Sequence, residues 1–297
     1  MNHSSAPTTA VILAGAGAAG NAWQIGLVAG LADVGVDIAR ADLIVGTSAG
    51  STVAAQITSG VPVADLYAAI IAAPPADRGS GRPTPAQLSG PSYMEWSEQI
   101  IAASTDASDW RRRMAAAAME KDAPNRPNRW RDIVAARLPR HAWPEQRVLI
   151  TAVDARTAQP EIFDRDSGVD LVDAVAASTS NGFGGTYPIG ENRYINGAYR
   201  RSSNADLASG YGRVLVLDPF SGRSRSPVEW GMDLATQVAE LRAGGSAVEV
   251  VFPDAGAGDV FNADALNPAT RLPAARGGYA QGRALAERIG GFWRGEG

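Results

Sequence analysis

One serine in this chain stands where nucleophilic attack is expected. Leu43-Ile44-Val45 is a short aliphatic run that ends in Gly46-Thr47-Ser48-Ala49-Gly50, and Ser51 to Ala55 continue as small, helix-compatible residues. Strand, sharp turn and helix with a serine at the apex make a nucleophile elbow. In such a turn the serine takes a strained backbone conformation, and the flanking glycines keep Cβ atoms out of the way. The N–H groups opening the next helix favour negative charge developing at the same spot. The pentapeptide alone arises easily by chance among 33 glycines, so its weight comes from its place between strand and helix.

A serine nucleophile needs a base, and the histidine inventory restricts it. There are two, His3 in the N-terminal tail and His141 in the proline-bounded segment Leu138–Pro144. A Ser–His–Asp triad therefore has one poorly placed candidate, and a multi-histidine metal site has none. Cysteine is absent, which removes disulfides and thiolate metal sites. The base expected for Ser48 is not a histidine.

A second stretch with chemical potential precedes the elbow. Ala10 to Ala14 reads as a buried strand, followed by Gly15-Ala16-Gly17-Ala18-Ala19-Gly20 and a helical pattern through Ala32. Strand, glycine loop and helix form an anion-binding arrangement. The loop also matches G-x-G-x-x-G, which raises a dinucleotide reading. That reading requires an acidic residue closing the second strand. Here the second strand ends in Gly46-Thr47-Ser48, and Asp37 and Asp42 precede it. The other use of the loop is an oxyanion hole beside the serine.

The elements that position these stretches alternate along the chain. Strands are expected at 147–153, 161–163, 193–195, 213–217 and 247–252. Helices are expected at 169–177, from Ser203 onward, at 227–243, and as one long closing helix at 268–293. The stretch 61–145 reads as a helical insert or cap, with helices at 65–73, 94–103, 110–121 and 130–138 and a loop from Pro74 to Pro91. Alternation without repeats points to one α/β domain spanning 1–297 with a mostly parallel sheet. The run Trp110-Arg-Arg-Arg113 with Trp96 and Trp130 suits either an anionic amphiphile or core tryptophans beneath a solvated arginine face. A net charge of −4 gives no electrostatic case for nucleic acid. No run of 18 apolar residues suggests a membrane span, and residues 1–9 lack a leader pattern, so a cytoplasmic protein is expected.

The glycine loop, the Gly46–Gly50 elbow and the segment Arg193-Tyr194-Ile195-Asn196-Gly197-Ala198 together resemble the patatin-like phospholipases. The match runs from about Ala10 to Pro219, and the helical insert is its least similar part. The resemblance implies a three-layer α/β/α fold and a serine–aspartate dyad that hydrolyses acyl esters without metal or cofactor. By position, it makes Ser48 the nucleophile and the backbone around Gly15, Ala16, Gly17 and Ala18 the oxyanion hole. Its substrate would be a lipid-like or other acyl ester, with transient contact to a membrane surface.

The chain departs from the family pattern in three places. The aspartate of the Asp-Gly-Gly or Asp-Gly-Ala turn is replaced by Asn196, and a neutral amide cannot act as a base. Alanines at 14, 16, 18 and 19 dilute the glycine run, and the usual proline near Ser180-Asn181-Gly182 is missing. Three readings of Asn196 stand: an inactivated variant of an active hydrolase, a non-catalytic acyl-ligand binder, or a catalyst such as an acyltransferase or cyclase acting on an activated ester. Asn196-Gly197 is also a deamidation-prone pair that would regenerate aspartate. Asp154, Asp206 and Asp218 are the remaining carboxylates near strand ends.

Overall fold

The computed structural model describes residues 9–73, 90–122 and 129–296. Strand β1 (Thr9–Leu13) leads into helix α1 (Gly17–Asp33), and β2 (Leu43–Gly46) into α2 (Ala49–Ile57). Helices α3 (Val63–Ala72), α4 (Gly90–Ala102), α5 (Ala107–Met119) and α6 (Arg129–Ala135) precede the long strand β3 (Arg147–Asp154). Next come β4 (Pro160–Phe163), α7 (Leu171–Thr179), β5 (Tyr187–Ile189) and β6 (Asn192–Asn196). The chain then makes β7 (Arg213–Leu217), α8 (Leu234–Ala243), β8 (Ala247–Val251), α9 (Arg271–Ala284) and α10 (Ala286–Arg294).

Strands β8, β7, β1, β2 and β3 pair side by side in parallel. Their residues are apolar on both faces, as a parallel sheet covered by helices requires. Val11, Leu13, Ile44 and Ile150 project into a core shared with α1, α2, α7 and α9. Ala10, Ile12, Leu43, Val45 and Val214 project to the opposite face, under α8 and the turn at Ala205–Ala208. Each fully buried aliphatic side chain here contributes about 1.5–3 kcal/mol. The result is helices on both faces of a mostly parallel sheet.

One feature of the sheet brings distant residues together. The first half of β3 pairs with β2, ending at Ile150 opposite Gly46, and its second half pairs antiparallel with β6, where Ala152 faces Asn196. Strand β4 pairs with residues 150–153 as well. A strand residue has only two edges, so β4 must take one edge of β3 while β2 and β6 follow one another along the other. The end of β6 thus lies just beyond the end of β2.

Several element boundaries differ from the sequence reading. Helix α1 begins at Gly17 and takes in the last four of the six residues from Gly15 to Gly20, because Ala18 and Ala19 favour helix. The closing 268–293 helix is a short turn at Pro268–Thr270 followed by two helices divided at Leu285. The stretch 227–243 is interrupted by Gly231 at φ 63°, and α8 starts only after Asp233, whose carboxylate accepts from Thr236 N–H. Helix α5 starts three residues early, because Asp106 caps it through the Ser108 and Asp109 N–H groups at 2.8 Å each. The segment after Ser203 forms only a single turn, Ala205–Ala208. Most of the 74–91 loop, and His3, lie outside the described residues.

Candidate active site

Ser48 occupies the apex of the turn between β2 and α2 with φ 54° and ψ −124°, a conformation strained for a residue with a side chain. The surrounding structure holds it there. Thr47 N–H donates to Leu13 O at 3.0 Å, tying the turn to the end of β1. Ser48 N–H donates to the buried Ser178 Oγ of α7 at 2.9 Å. A Cβ on Gly50 would overlap the Leu13 carbonyl, so the second glycine of the pentapeptide is dictated by packing against β1. Ser48 itself stays partly open to solvent.

Asn196 closes β6, and it meets Ser48 because β6 continues where β2 stops. Its backbone N–H donates to Ser180 O at 2.7 Å, and its side-chain Oδ1 accepts from Ala198 N–H at 2.9 Å. Its Nδ2 donates to Ser48 Oγ at 2.9 Å. The Ala198 contact fixes the orientation of the amide, since only the oxygen can accept from a backbone N–H. The amide nitrogen is therefore turned toward the serine, and Ser48 Oγ acts as acceptor in this pair. Gly197 passes so close to Thr151 that any side chain there would overlap its Oγ1 and carbonyl.

The glycine loop borders the same serine. A Cβ built on Gly15 would stand 2.7 Å from Ser48 Cβ and 3.3 Å from Oγ. Ala16 caps α1, and the first described bond of that helix runs from Gly20 N–H to Ala16 O at 2.8 Å. The N–H groups of Gly17 and Ala18 thus have no acceptor within α1. Ala49, at the first position of α2, is a further N–H donor beside the serine that the sequence reading did not single out. Two helix N-termini consequently flank Ser48 and can favour negative charge there.

A family model described as "Patatin-like phospholipase" matches residues 11–209, a span that contains the glycine loop, the elbow and Asn196. The chain belongs to the patatin-like phospholipase family. Among solved structures it aligns with the crystal structure of VipD from Legionella pneumophila, at 12% identity and a TM-score of 0.44. That alignment covers 95% of this chain and 67% of VipD. No curated protein matches the chain.

Beneath the elbow of this patatin-like chain lies a polar network that the sequence did not signal. Asn204, buried and left-handed at φ 56°, donates through Nδ2 to Thr47 Oγ1 at 3.0 Å and to Gly197 O at 3.0 Å. Thr151 Oγ1 donates to Thr47 Oγ1 at 3.1 Å. The residues preceding Ser48 and following Asn196 are thereby joined through one amide. An isolated Asn followed by Ala and Asp carries no spacing signal for such a role. Only its tolerance of left-handed backbone hints at it.

The other carboxylates are engaged elsewhere. Asp206 pairs with Arg200 at 2.6 Å, and Asp154 accepts from the Arg156 and Thr157 N–H groups at 2.7 and 3.2 Å. Asp218 accepts from Ser203 Oγ at 2.8 Å and from Phe220 N–H at 2.9 Å. None of the three bonds to Ser48. His141 contacts Ala135 O at 3.0 Å on the surface. Trp110 is buried against Tyr199, and Trp130 Nε1 donates to Thr179 Oγ1 at 3.0 Å, so both serve packing. Among the described residues no helix is long and apolar enough to cross a membrane.

Proposed function

We propose that this chain is a patatin-like serine acyl hydrolase in which Ser48 is the nucleophile and the position of the general base is held by an amide. The observation that carries the reading is the 2.9 Å contact from Asn196 Nδ2 to Ser48 Oγ, made within a strained elbow. Ser48 Oγ attacks the ester carbonyl carbon, and the carbonyl oxygen takes the electron pair as an oxyanion. N–H groups of Gly15, Ala16, Gly17 and Ala18, joined by Ala49, stabilise that charge. Collapse expels the alcohol and leaves an acyl-Ser48 ester, which water cleaves to release the acid.

An aspartate at 196 would accept from Ala198 N–H with one oxygen and take the Ser48 proton with the other. Asn196 keeps the first contact and reverses the second. The serine proton must then leave to solvent during attack, and loss of a general base costs on the order of 10²–10⁴-fold. The chain accordingly binds acyl esters, most simply of lipids, and turns them over slowly. The helical stretch 61–145 selects the acyl chain; Tyr93 of α4 meets Tyr199, three residues past Asn196, at 3.0 Å between hydroxyls.

The same amide favours a second reading, a non-catalytic binder of acyl ligands. Intact-mass analysis after incubation with an activated acyl ester separates the two. A slow adduct that maps to Ser48, appears faster in Asn196→Asp and is absent from Ser48→Ala supports the hydrolase. Saturable protection of the fold by the ester, with no adduct in either form, supports the binder and overturns the hydrolase.

A further inference from the structure

Arg111 behaves unlike the arginines beside it. Arg112 and Arg113 close on Asp109 at 3.0 and 2.8 Å. Arg111 makes no ion pair among the described residues, and its Nε is buried without a hydrogen-bond partner. It lines a cleft of about 440 Å³ together with Arg200, Arg201, Trp230, Met232 and Pro160. Arg200 pairs with Asp206 at 2.6 Å, and Arg201 with Glu240, which borders the cleft, at 2.5 Å. Two carboxylates therefore answer three guanidiniums, and the cation left over is Arg111.

An unpartnered donor on a buried charged group is costly, which is why such groups are normally paired. Burial, followed by the neighbouring Arg200 charge, holds the Arg111 pKa below the usual arginine range. The Asp106 carboxylate offsets these two effects only in part. Planar guanidiniums match the oxygens of a phosphoryl group in paired hydrogen bonds, and the cleft is open enough to admit one.

We propose that the Arg111–Arg200–Arg201 cleft is a second binding site, separate from Ser48, for an anion bearing a phosphate monoester or free phosphate group. The site is joined to the elbow through the fold. Arg200 directly follows the Gly197–Tyr199 turn and donates to Asn204 Oδ1 at 2.8 Å, and Asn204 in turn bonds Thr47. An anion held by Arg200 would thus bear on the turn that carries Asn196.

The test measures binding and leaves Ser48 chemistry aside, so its outcome is independent of the hydrolase proposal. Thermal unfolding of the full chain is followed with inorganic phosphate against chloride at matched ionic strength, in the parent, Arg111→Gln and the control Arg112→Gln. A ligand bound only by the folded state raises Tm saturably. The expected result is a saturable rise in the parent and in Arg112→Gln that disappears in Arg111→Gln. Phosphorus NMR line broadening of inorganic phosphate on each protein reports the same occupancy without relying on unfolding. Sedimentation with phosphatidylcholine vesicles containing phosphatidic acid identifies the source. Arg111-dependent pelleting assigns a lipid headgroup, and phosphate binding without pelleting assigns a soluble phosphate. No saturable effect from phosphate or vesicles, or equal effects in Arg111→Gln, overturns the proposal.

Discussion

Asn196 Nδ2 points at Ser48 Oγ from 2.9 Å, and the Ala198 N–H on the other side of the amide prevents it from turning round. The hydrogen bond between them therefore runs from residue 196 to the serine. A carboxylate in that place would receive the serine proton, so one atom type reverses the direction of the bond while leaving the surrounding geometry alone. Shape and reactivity separate at this pair.

Ser178 supports the elbow from the neighbouring helix by accepting the Ser48 N–H at 2.9 Å. Ser178→Ala leaves that N–H without its partner in a partly buried setting, at a cost toward the lower end of the roughly 1–3 kcal/mol of a fully buried donor. Urea unfolding is expected to show a loss in this range. Acylation of Ser48 in the Asn196→Asp background is expected to slow as well. An unchanged midpoint would mean that the turn is held by its other contacts alone.

Gly15 leaves no room for a side chain, since its Cβ would stand 2.7 Å from Ser48 Cβ. Gly15→Ala is expected to preserve the overall fold, because Gly15 lies in a partly exposed loop. It should displace the serine and lower acylation of the Asn196→Asp form by about 10²-fold, the scale of a 1 Å misplacement. Burst amplitude and rate, read beside Tm, check this. Normal acylation with a normal Tm would place the loop away from the reacting atoms.

Asp218 offers a pH-dependent handle. Burial raises its carboxyl pKa, and the Ser203 hydroxyl and the Gly222 and Phe220 N–H groups offset this only in part. A raised folded-state pKa means that the fold favours the protonated form. The stabilisation is complete below the ordinary carboxylate value of about 4 and is lost as pH rises through the raised one. Asp218→Asn does not titrate. Its stability relative to the parent is therefore expected to improve between about pH 4 and neutrality, and Tm measured against pH for both proteins checks it. A constant difference would contradict the assignment.

The elbow was legible in the sequence because its signal is local: an aliphatic run, glycines flanking a serine, and small residues behind. The parallel sheet was legible from strands apolar on both faces. The Ser48–Asn196 contact joins positions 148 apart, and only the resemblance to a known family related them. The topology that creates it, β2 and β6 sharing one edge of β3, depends on register, which no short window of residues encodes. Ser178 and Asn204 were invisible for a related reason. Each is a single polar side chain whose role exists only when three elements meet. The start of α1 inside the glycine run follows the helix preference of Ala18 and Ala19, which the glycines around them mask in the sequence.

In the proposed function, Ser48 and the residue at 196 form one catalytic pair whose base has been replaced by an amide. The most direct measurement is steady-state turnover of a series of acyl esters by the parent and by Asn196→Asp, each with a Ser48→Ala counterpart. Intact mass confirms beforehand that Asn196 has not deamidated. The expected result is a gain on the order of 10²–10⁴-fold in the aspartate form that Ser48→Ala abolishes. No gain on restoring the carboxylate, or a gain that survives the loss of Ser48, would contradict the account.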